Sequence, residues 1–318
     1  MNELLSILNA DLLAATLRLS TPITLAAVGA VVCERSGIIN IAMEGLMLFG
    51  AFFAAYVTLV TGNPWLGMLG GVFAGGLLSL LHAWASITLH LNQVISGAVI
   101  NILAFGATRF LMVLCYGHPG TSDPVPVSLG EFRWAIPLLA EIPFFGRVLF
   151  NQTPIVYLSL ILVVLLAWMM KRTTFGLHVR AVGEHPLALE TLGRSVKRIR
   201  YTAVLISGLL SGLAGAYLAI ENGRSFTEGM TGGRGFIALA ANISGGWNAI
   251  GAFLASIVFG FVDALQLRFQ VVSTLDIPSE LFLVFPYLIT VIAVAGLVKR
   301  SRAPGDLGND FRIERDAD

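Results

Sequence analysis

The chain has 318 residues, 56% apolar and 12% charged, with 34 glycines, a formal net charge of +1 and a mean hydropathy of +0.81. Apolar runs of bilayer length recur over most of it, which excludes a water-soluble globule with one buried core and makes it an all-α, polytopic integral membrane protein. The small net charge gives no sign of nucleic acid as a partner, and in a membrane protein the position of the charges carries more than their sum.

In chain order, MNELLSILNADLLAATLRLS lacks a basic n-region and a small-residue cleavage site, so it does not read as a removable signal peptide. Polar and Gly/Pro breaks then delimit nine spans, at 12–32, 37–60, 64–90, 94–116, 154–170, 201–220, 236–248, 250–270 and 281–298, within one transmembrane domain of residues 1–300. The seventh is too short for a normal crossing: its length corresponds to about 20 Å of helix against a hydrocarbon core of about 30 Å, which predicts a half-helix or a segment packed within protein. Lys171, Arg172, Arg180, Arg194, Lys197, Arg198 and Arg200 crowd the loop 171–200, and Lys299, Arg300 and Arg302 follow the last span. Positive-inside bias puts both regions, and the C-terminus, in the cytoplasm. Nine crossings then place the loop 117–153 and the N-terminus outside, and Glu34 and Arg35 inside. The external loop mixes Pro and Gly with Trp134 and several Phe, as a structured loop at the membrane interface does. The tail 301–318 turns polar and acidic and is expected to be partly disordered.

Several chemistries lack their residues. None of Lys171, Lys197 and Lys299 follows a glycine, so there is no GxxxxGK[ST] phosphate cradle, and HExxH and GxSxG are absent too. His82, His90, His118, His178 and His185 are scattered and read as interfacial or loop residues. Cys33 and Cys115 form no CxxC or Cys/His cluster and read as small packing residues.

The stretch ERSGIINIAMEGLMLFGAF places Asn40 and Glu44 four residues apart, on one face if that part of the span is helical. A carboxylate near mid-bilayer costs about 2.5 to 3.5 kcal/mol, so Glu44 is expected to face protein or water. Three readings stand: a hydrogen bond to a neighbouring helix that fixes packing, a role in transport or gating, and a position close enough to the surface to stay hydrated. Gln93, Ser96 or Gly97, Asn101 and Thr108 form a polar face on the fourth span, which suits a substrate path and interhelical packing equally. Asn242 and Ser244 lie in the short segment, and Asp263 and Gln266 in the eighth span. Around the short segment, GGRGFIALAANISGGWNAIGAFLASIVFGFVDAL sets Gly245, Gly246 and Gly251 about Trp247 and Asn248, the pattern of a discontinuous helix, with a plain loop between tilted helices as its rival. Gly208, Gly212 and Gly215 of GLLSGLAG sit at helix-packing spacing. In the loop 171–200, GEHPLALETLGRS carries Leu187, Leu189 and Leu192, with Pro186 near a helix start and Gly193 as a stop, so a short amphipathic helix is expected there; its alternative role is to rest on anionic lipid.

Three stretches together, TPITLAAVGAVVCERSGIINIAMEGLMLFGAF, TTFGLHVRAVGEHPLALETLGRSVKRIRYTAVLISGLLSGLAGAYLA and GRGFIALAANISGGWNAIGAFLASIVFG, resemble the permease subunits of bacterial ABC importers in the ribose and branched-chain amino acid permease superfamily. ERSGIINIAMEGLMLFGAF looks most like the branch serving nucleosides and simple sugars. The resemblance covers most of residues 12–298 in consistent order. It implies that the loop 171–200 carries the coupling helix that docks on an ATPase, matched on Gly176, Arg180, Ala181, Gly183, Glu184, Pro186, Ala188 and Gly193, with His185 and Leu189 in the same segment. It also implies the partners: a cytosolic ABC ATPase that uses Mg-ATP, a second permease subunit (a paralogue or a second copy), and an external substrate-binding lipoprotein. No cofactor is implied for this chain itself. Ribose permeases commonly begin with an extra span, and this chain starts almost directly on the segment equivalent to their second.

The resulting expectation is a non-catalytic permease in a bacterial cytoplasmic (inner) membrane, in contact with lipid and moving a small-molecule substrate, nucleosides first. Asn40, Glu44, Gln93, Asn101, Asn242, Trp247, Asn248, Asp263 and Gln266 are the candidate path residues, and Arg180, Gly183, Glu184, His185, Pro186, Leu189 and Gly193 the coupling residues. Simple sugars and branched-chain amino acids are the alternative cargoes; the last would require groups for an ammonium and a carboxylate, and the intramembrane charges Glu44 and Asp263 are both negative. An ion-coupled secondary transporter would use Glu44 or Asp263 as a relay. A membrane enzyme lacks clustered acids, bases and nucleophiles.

Overall fold

The computed structural model describes residues 9–272, apart from 128, 136, 138, 139, 143 and 144, together with residues 302–311. Among the described residues seven helices are long and apolar enough to cross a bilayer. Helix α1 (Ala10–Arg35) starts on Asn9, whose side chain accepts from the Leu12 N–H at 3.0 Å. Pro22 within it deprives the Arg18 carbonyl of its helical donor, and the Tyr217 hydroxyl donates to that carbonyl from a neighbouring helix at 3.1 Å. This is how a proline is tolerated where no water can replace the lost bond.

Helices α2 (Met43–Thr61) and α3 (Pro64–Ala83) are joined through Gly62, at φ 67, with Asn63 capping α3. A π turn, Trp84–Thr88, ends α3, and α4 (Gln93–Tyr116) begins on an Asn92 cap. The next segment carries a two-stranded antiparallel ribbon, β1 (Trp134–Ala135) with β2 (Asn151–Gln152), and the short α5 (Phe145–Leu149). Then come α6 (Pro154–Arg172), α7 (Thr174–Glu184), α8 (Pro186–Thr191), α9 (Val196–Tyr217) with a π continuation Leu218–Asn222, α10 (Arg234–Ser244) and α11 (Ala249–Val272). Helices fall on the first eight predicted segments, and the seventh, α10, is short; the ninth, 281–298, lies outside the described residues. Residues 302–311 of the tail are packed against the body, and 312–318 lie outside the described residues.

Two spans are broken. The predicted span 37–60 becomes helical only at Met43; residues 36–42 run as an irregular connector beside α4. Ile39 meets Gln93 and Gly45 meets Asn101, so the connector climbs by about eight residues of α4, roughly 12 Å. The second broken span is 223–244. Its first part pairs with the segment after α4, through Thr121 with Thr227 and Ser122 with Phe226, and its last part, α10, ends against α1 at Glu34 and Arg35. Irregular chain of bends and turns therefore covers one part of that crossing and 11 residues of helix, about 16 Å, the other.

Around these breaks α2, α3 and α9 pack by glycine contact. A Cβ on Gly212 would lie 2.4 Å from the Gly71 carbonyl oxygen, one on Gly50 2.7 Å from Gly212 Cα, and one on Gly215 1.8 Å from the Met47 carbonyl oxygen. The spacing of Gly208, Gly212 and Gly215 is thus a close helix contact. By contrast α4 turns Ile102, Phe110 and Leu114 outward, at 72%, 67% and 68% exposure. Gly215→Ala forces a methyl into backbone and is expected to destabilise by about 1–3 kcal/mol. Gly106→Ala, on α4 with no atom within 4 Å of the new methyl, leaves stability unchanged or raises it through helix propensity. Thermal unfolding of both variants in detergent checks the contrast.

Candidate functional site

Glu44 lies in the first turn of α2 and is 3% exposed. Its Oε1 accepts the Thr231 hydroxyl at 2.6 Å and the Gly233 N–H at 2.9 Å, and its Oε2 accepts the Gly235 N–H at 2.7 Å. Gly233 is the N-cap of α10, at φ 81, and offers no side chain to satisfy the first N–H groups, so Glu44 does so from another helix. The approach requires Gly235, where a Cβ would lie 2.4 Å from the Glu44 nitrogen. One carboxylate, in the first turn of the 19-residue α2, therefore lies at the positive ends of both α2 and the half-helix α10. Of the three readings of Glu44, this geometry is the hydrogen bond that fixes a neighbouring helix.

The helical face expected to be shared by Asn40 and Glu44 does not form, because Asn40 precedes the helix. It sits in the connector, where its Nδ2 donates to Ser207 Oγ on α9 at 3.0 Å. The polar face of α4 lies against this connector. Gln93 Oε1 accepts the Ile39 N–H at 2.7 Å. Asn101 Nδ2 donates to the Ile41 carbonyl at 3.0 Å, and its Oδ1 accepts the Gly45 N–H at 2.8 Å. His82, fully buried on α3, lies 3.0 Å through Nε2 from the Ile39 carbonyl and 3.0 Å through Nδ1 from Ser96 Oγ, which fits a proton on Nε2. These amides and the imidazole serve backbone groups that an unbroken helix would have satisfied itself. Thr108, further along α4, bonds its own helix at the Ala104 carbonyl, 2.7 Å away.

The other end of α10 is held by Glu34, 2% exposed at the end of α1. Its Oε2 accepts Asn242 Nδ2 at 2.7 Å and Trp247 Nε1 at 2.6 Å. Arg35 Nε donates to the Trp247 carbonyl at 2.8 Å. Trp247 takes φ 52, left-handed backbone that a bulky residue holds only when its surroundings impose it, and these bonds on its ring and carbonyl do so. Asn40, Glu44, Gln93, Asn101, Asn242 and Trp247 are thus gathered around the two breaks. Asn248 is beside them, capping α11 by accepting the Ile250 N–H at 2.9 Å. Asp263, on α11, faces the start of α10, its Oδ2 4.0 Å from Arg234 Nη2, and Gln266 lies three residues beyond it. The amide oxygens of Asn40 and Asn242 are buried without a hydrogen-bond partner among the described residues.

The loop 171–200 carries two helices where one short amphipathic helix was expected. Pro186 opens α8 and Gly193, at φ 72, stops the chain after it. Helix α7 before it is capped by Thr173, whose hydroxyl accepts the Gly176 N–H at 3.1 Å, a signal passed over in the sequence. His185, at φ −146 and ψ 81, separates the two. Leu189 is buried with Val182 and Val196, whereas Arg180, Glu184 and Leu187 are exposed. Gly183 abuts the end of α1 so closely that a Cβ would lie 2.1 Å from the Arg35 carbonyl oxygen. Glu34, Arg35, His82, Thr231 and Arg200 also bond the broken spans or their surroundings, and sequence reasoning did not count them among the path residues. For Glu34 the cue was its place beside an apolar run; for Thr231 it was the TGGRG stretch, whose glycines open a helix that has no capping side chain.

Among the described residues no group of His, Cys, Asp and Glu is arranged to hold a metal. Residues 12–294 match the family described as "Branched-chain amino acid transport system / permease component". The chain is 41% identical to the guanosine ABC transporter permease protein NupQ of Bacillus subtilis, over 91% of this chain and 92% of that one. It is 37% identical to the nucleoside ABC transporter permease protein NupC of Lactococcus lactis, over 90% and 91%. It is 34% identical to the putative glucose ABC transporter permease protein TsgC13 of Haloferax volcanii, over 92% and 93%. No solved structure matches the chain.

Glu44→Ala orphans the Thr231 hydroxyl and two N–H groups, each worth about 1–3 kcal/mol when buried. Glu44→Gln keeps the oxygen facing Thr231 and Gly233 but turns an amide toward the Gly235 N–H, so its expected cost is that of one orphaned group. Unfolding midpoints are expected in the order native, Gln, Ala; equal midpoints for all three would mean that the carboxylate does not hold α10.

Proposed function

From a chain that belongs to the branched-chain amino acid transport system / permease component family, and is therefore the membrane-spanning permease subunit of an ABC importer, we propose that the cargo is nucleosides. The observation that carries this is the identity of 41% over nine-tenths of both chains with a guanosine permease, supported by 37% with a nucleoside permease. The site chemistry supports a neutral cargo. A half-helix N-terminus is the usual receptor for an anionic substrate group in transporters, and here that end of α10 is taken by Glu44. A carboxylate-bearing amino acid would have to displace that bond. A nucleoside or sugar, with only hydroxyls and amide edges, would not.

In this reading the Gly37 end of the bundle is cytoplasmic, on the strength of the basic residues between Lys171 and Arg200, and so is the C-terminus. The partner ATPase binds Mg-ATP and hydrolyses it, an external lipoprotein delivers cargo, and a second permease subunit completes the pathway. Docking falls on α7 and α8, whose outer face carries Arg180, Glu184, Leu187 and Leu192, the leucines 63% and 76% exposed. The cargo passes beside the broken spans, where the free amide oxygens of Asn40 and Asn242 gain access when the half-helices part. Closure of the ATPases moves α7, and Gly183 passes the motion to Arg35 and so to α10.

In proteoliposomes holding the complete importer, guanosine uptake is expected to require an active ATPase, survive an uncoupler and be competed by other nucleosides but not by glucose or leucine. Uptake that an uncoupler abolishes would exclude the ABC reading; competition by glucose alone would move the cargo to sugars. Leu187→Asp, on an exposed position, is expected to weaken ATPase binding about 30-fold while the permease folds normally.

A further inference from the structure

Residues 302–311 form a strap across the Gly37 end, with Pro304 buried and Gly308 at φ 82. One side of the strap holds the end of α7: the Asp306 N–H donates to the Gly183 carbonyl at 2.8 Å, and the Gly305 N–H to Glu184 Oε2 at 3.2 Å. The other side holds the connector and its supports. The Gly308 N–H donates to the Gly37 carbonyl at 3.0 Å, Gln93 Nε2 to the Asn309 carbonyl at 3.4 Å, and His90 Nδ1 lies 2.5 Å from Asp310 Oδ1. Arg200 fastens the middle. Its side chain, 4% exposed, donates through Nη2 to Asp306 Oδ2 at 2.6 Å and through Nε to the Ser36 carbonyl at 3.2 Å, and the Phe311 ring lies 5.9 Å from its guanidinium carbon. The fit is close: a Cβ on Gly37, itself at φ 89, would lie 2.9 Å from Arg200 Nη2 and 3.2 Å from the Asp306 carbonyl oxygen.

Without the strap, α7 meets the end of α1 by the close contact of Gly183 with the Arg35 carbonyl and by the attraction of the exposed Glu184 for Arg35, which solvent screens. A van der Waals contact transmits a push but not a pull. A hydrogen-bonded bridge anchored on an ion pair whose arginine is buried transmits both, because separating Asp306 from Arg200 would strand the arginine's charge away from water. We infer that the strap is a positioning element for transport: it makes the ATPase-docking helices and the connector 36–42 move as one unit, so that the half-helices follow the ATPase in both strokes. This rests on the importer reading above.

The test uses the full complex. Arg200→Met with Asp306→Leu removes both partners of the pair and substitutes apolar groups of similar size, the change least apt to unfold the chain. The assembled variant is expected to hydrolyse ATP while cargo moved per ATP falls about tenfold, within ordinary coupling energies. An unchanged ratio would overturn the inference. Hydrogen exchange on the unaltered complex gives a second, independent arm: residues 302–311 are expected to stay protected both at rest and when trapped with ATP and vanadate, and exchange at the solvent rate in either state would also overturn it. Failure of the nucleoside reading shows instead in the unaltered complex, as uptake that nucleosides do not compete, and leaves both of these outcomes readable with another cargo.

Discussion

The Glu44 carboxylate, wedged between the first turn of α2 and the first turn of α10, is the interaction on which the rest of the bundle depends. A bilayer gives unpaired backbone no water to bond, so a span can be interrupted only where protein supplies the missing partners. Two spans are interrupted here, at 36–42 and at 223–233, and the helices that follow the breaks start side by side, Gly235 against Glu44. Two positive helix ends facing each other in a low dielectric repel, and one carboxylate between them cancels both while accepting two of the orphaned N–H groups.

Many of the polar residues in the central spans follow from that arrangement. A connector of seven residues exposes carbonyls and N–H groups along its length, and Gln93, His82, Asn101 and Arg200 each take one or more of them. The far end of α10 needs a second anchor, since a helix of three turns tethered at one terminus would pivot, and Glu34 supplies it through Asn242 and Trp247. The two carboxylates of one short stretch, ten residues apart in sequence, thus grip the two ends of one short helix.

Much of this was legible in the residues. The apolar runs located the helices, the length of 236–248 marked a half-helix or a segment packed within protein, and Gly208, Gly212 and Gly215 announced a close helix contact, which the fold makes with α2 and α3. What sequence alone left open was direction. A polar face on α4 looks the same whether it serves a substrate or a connector, because both demand amides at helical spacing. The irregularity of 36–42 was hidden for a related reason: SGIINIA is apolar enough to continue a span, and only the fold reveals that α4 and α3 satisfy its backbone better than a helix there would. The strap was hidden because a polar, acidic tail carries no apolar pattern, and its order comes from one buried arginine and two glycines in left-handed backbone.

The distribution of contacts divides the bundle into two mechanical classes. Where α2, α3 and α9 meet, backbone touches backbone across glycines, and no small displacement is possible without opening voids. Where α10 meets α1 and α2, Gly235 packs on α2 and Ile237, Ala238 and Ala241 enter the core, but both ends of the helix are held by hydrogen bonds to two carboxylates, which can exchange partners one at a time as geometry shifts. A permease needs both, a frame that does not yield and an element that can change its pairing without exposing unpaired groups to lipid. The end of α1 belongs to both classes at once, since Gly183 of α7 presses on it and Glu34 reaches α10 from it. Under the proposed docking of an ATPase on α7, force applied there would arrive at the end of α1, from which Glu34 reaches the replaceable restraints of α10 and leaves the glycine-packed frame in place.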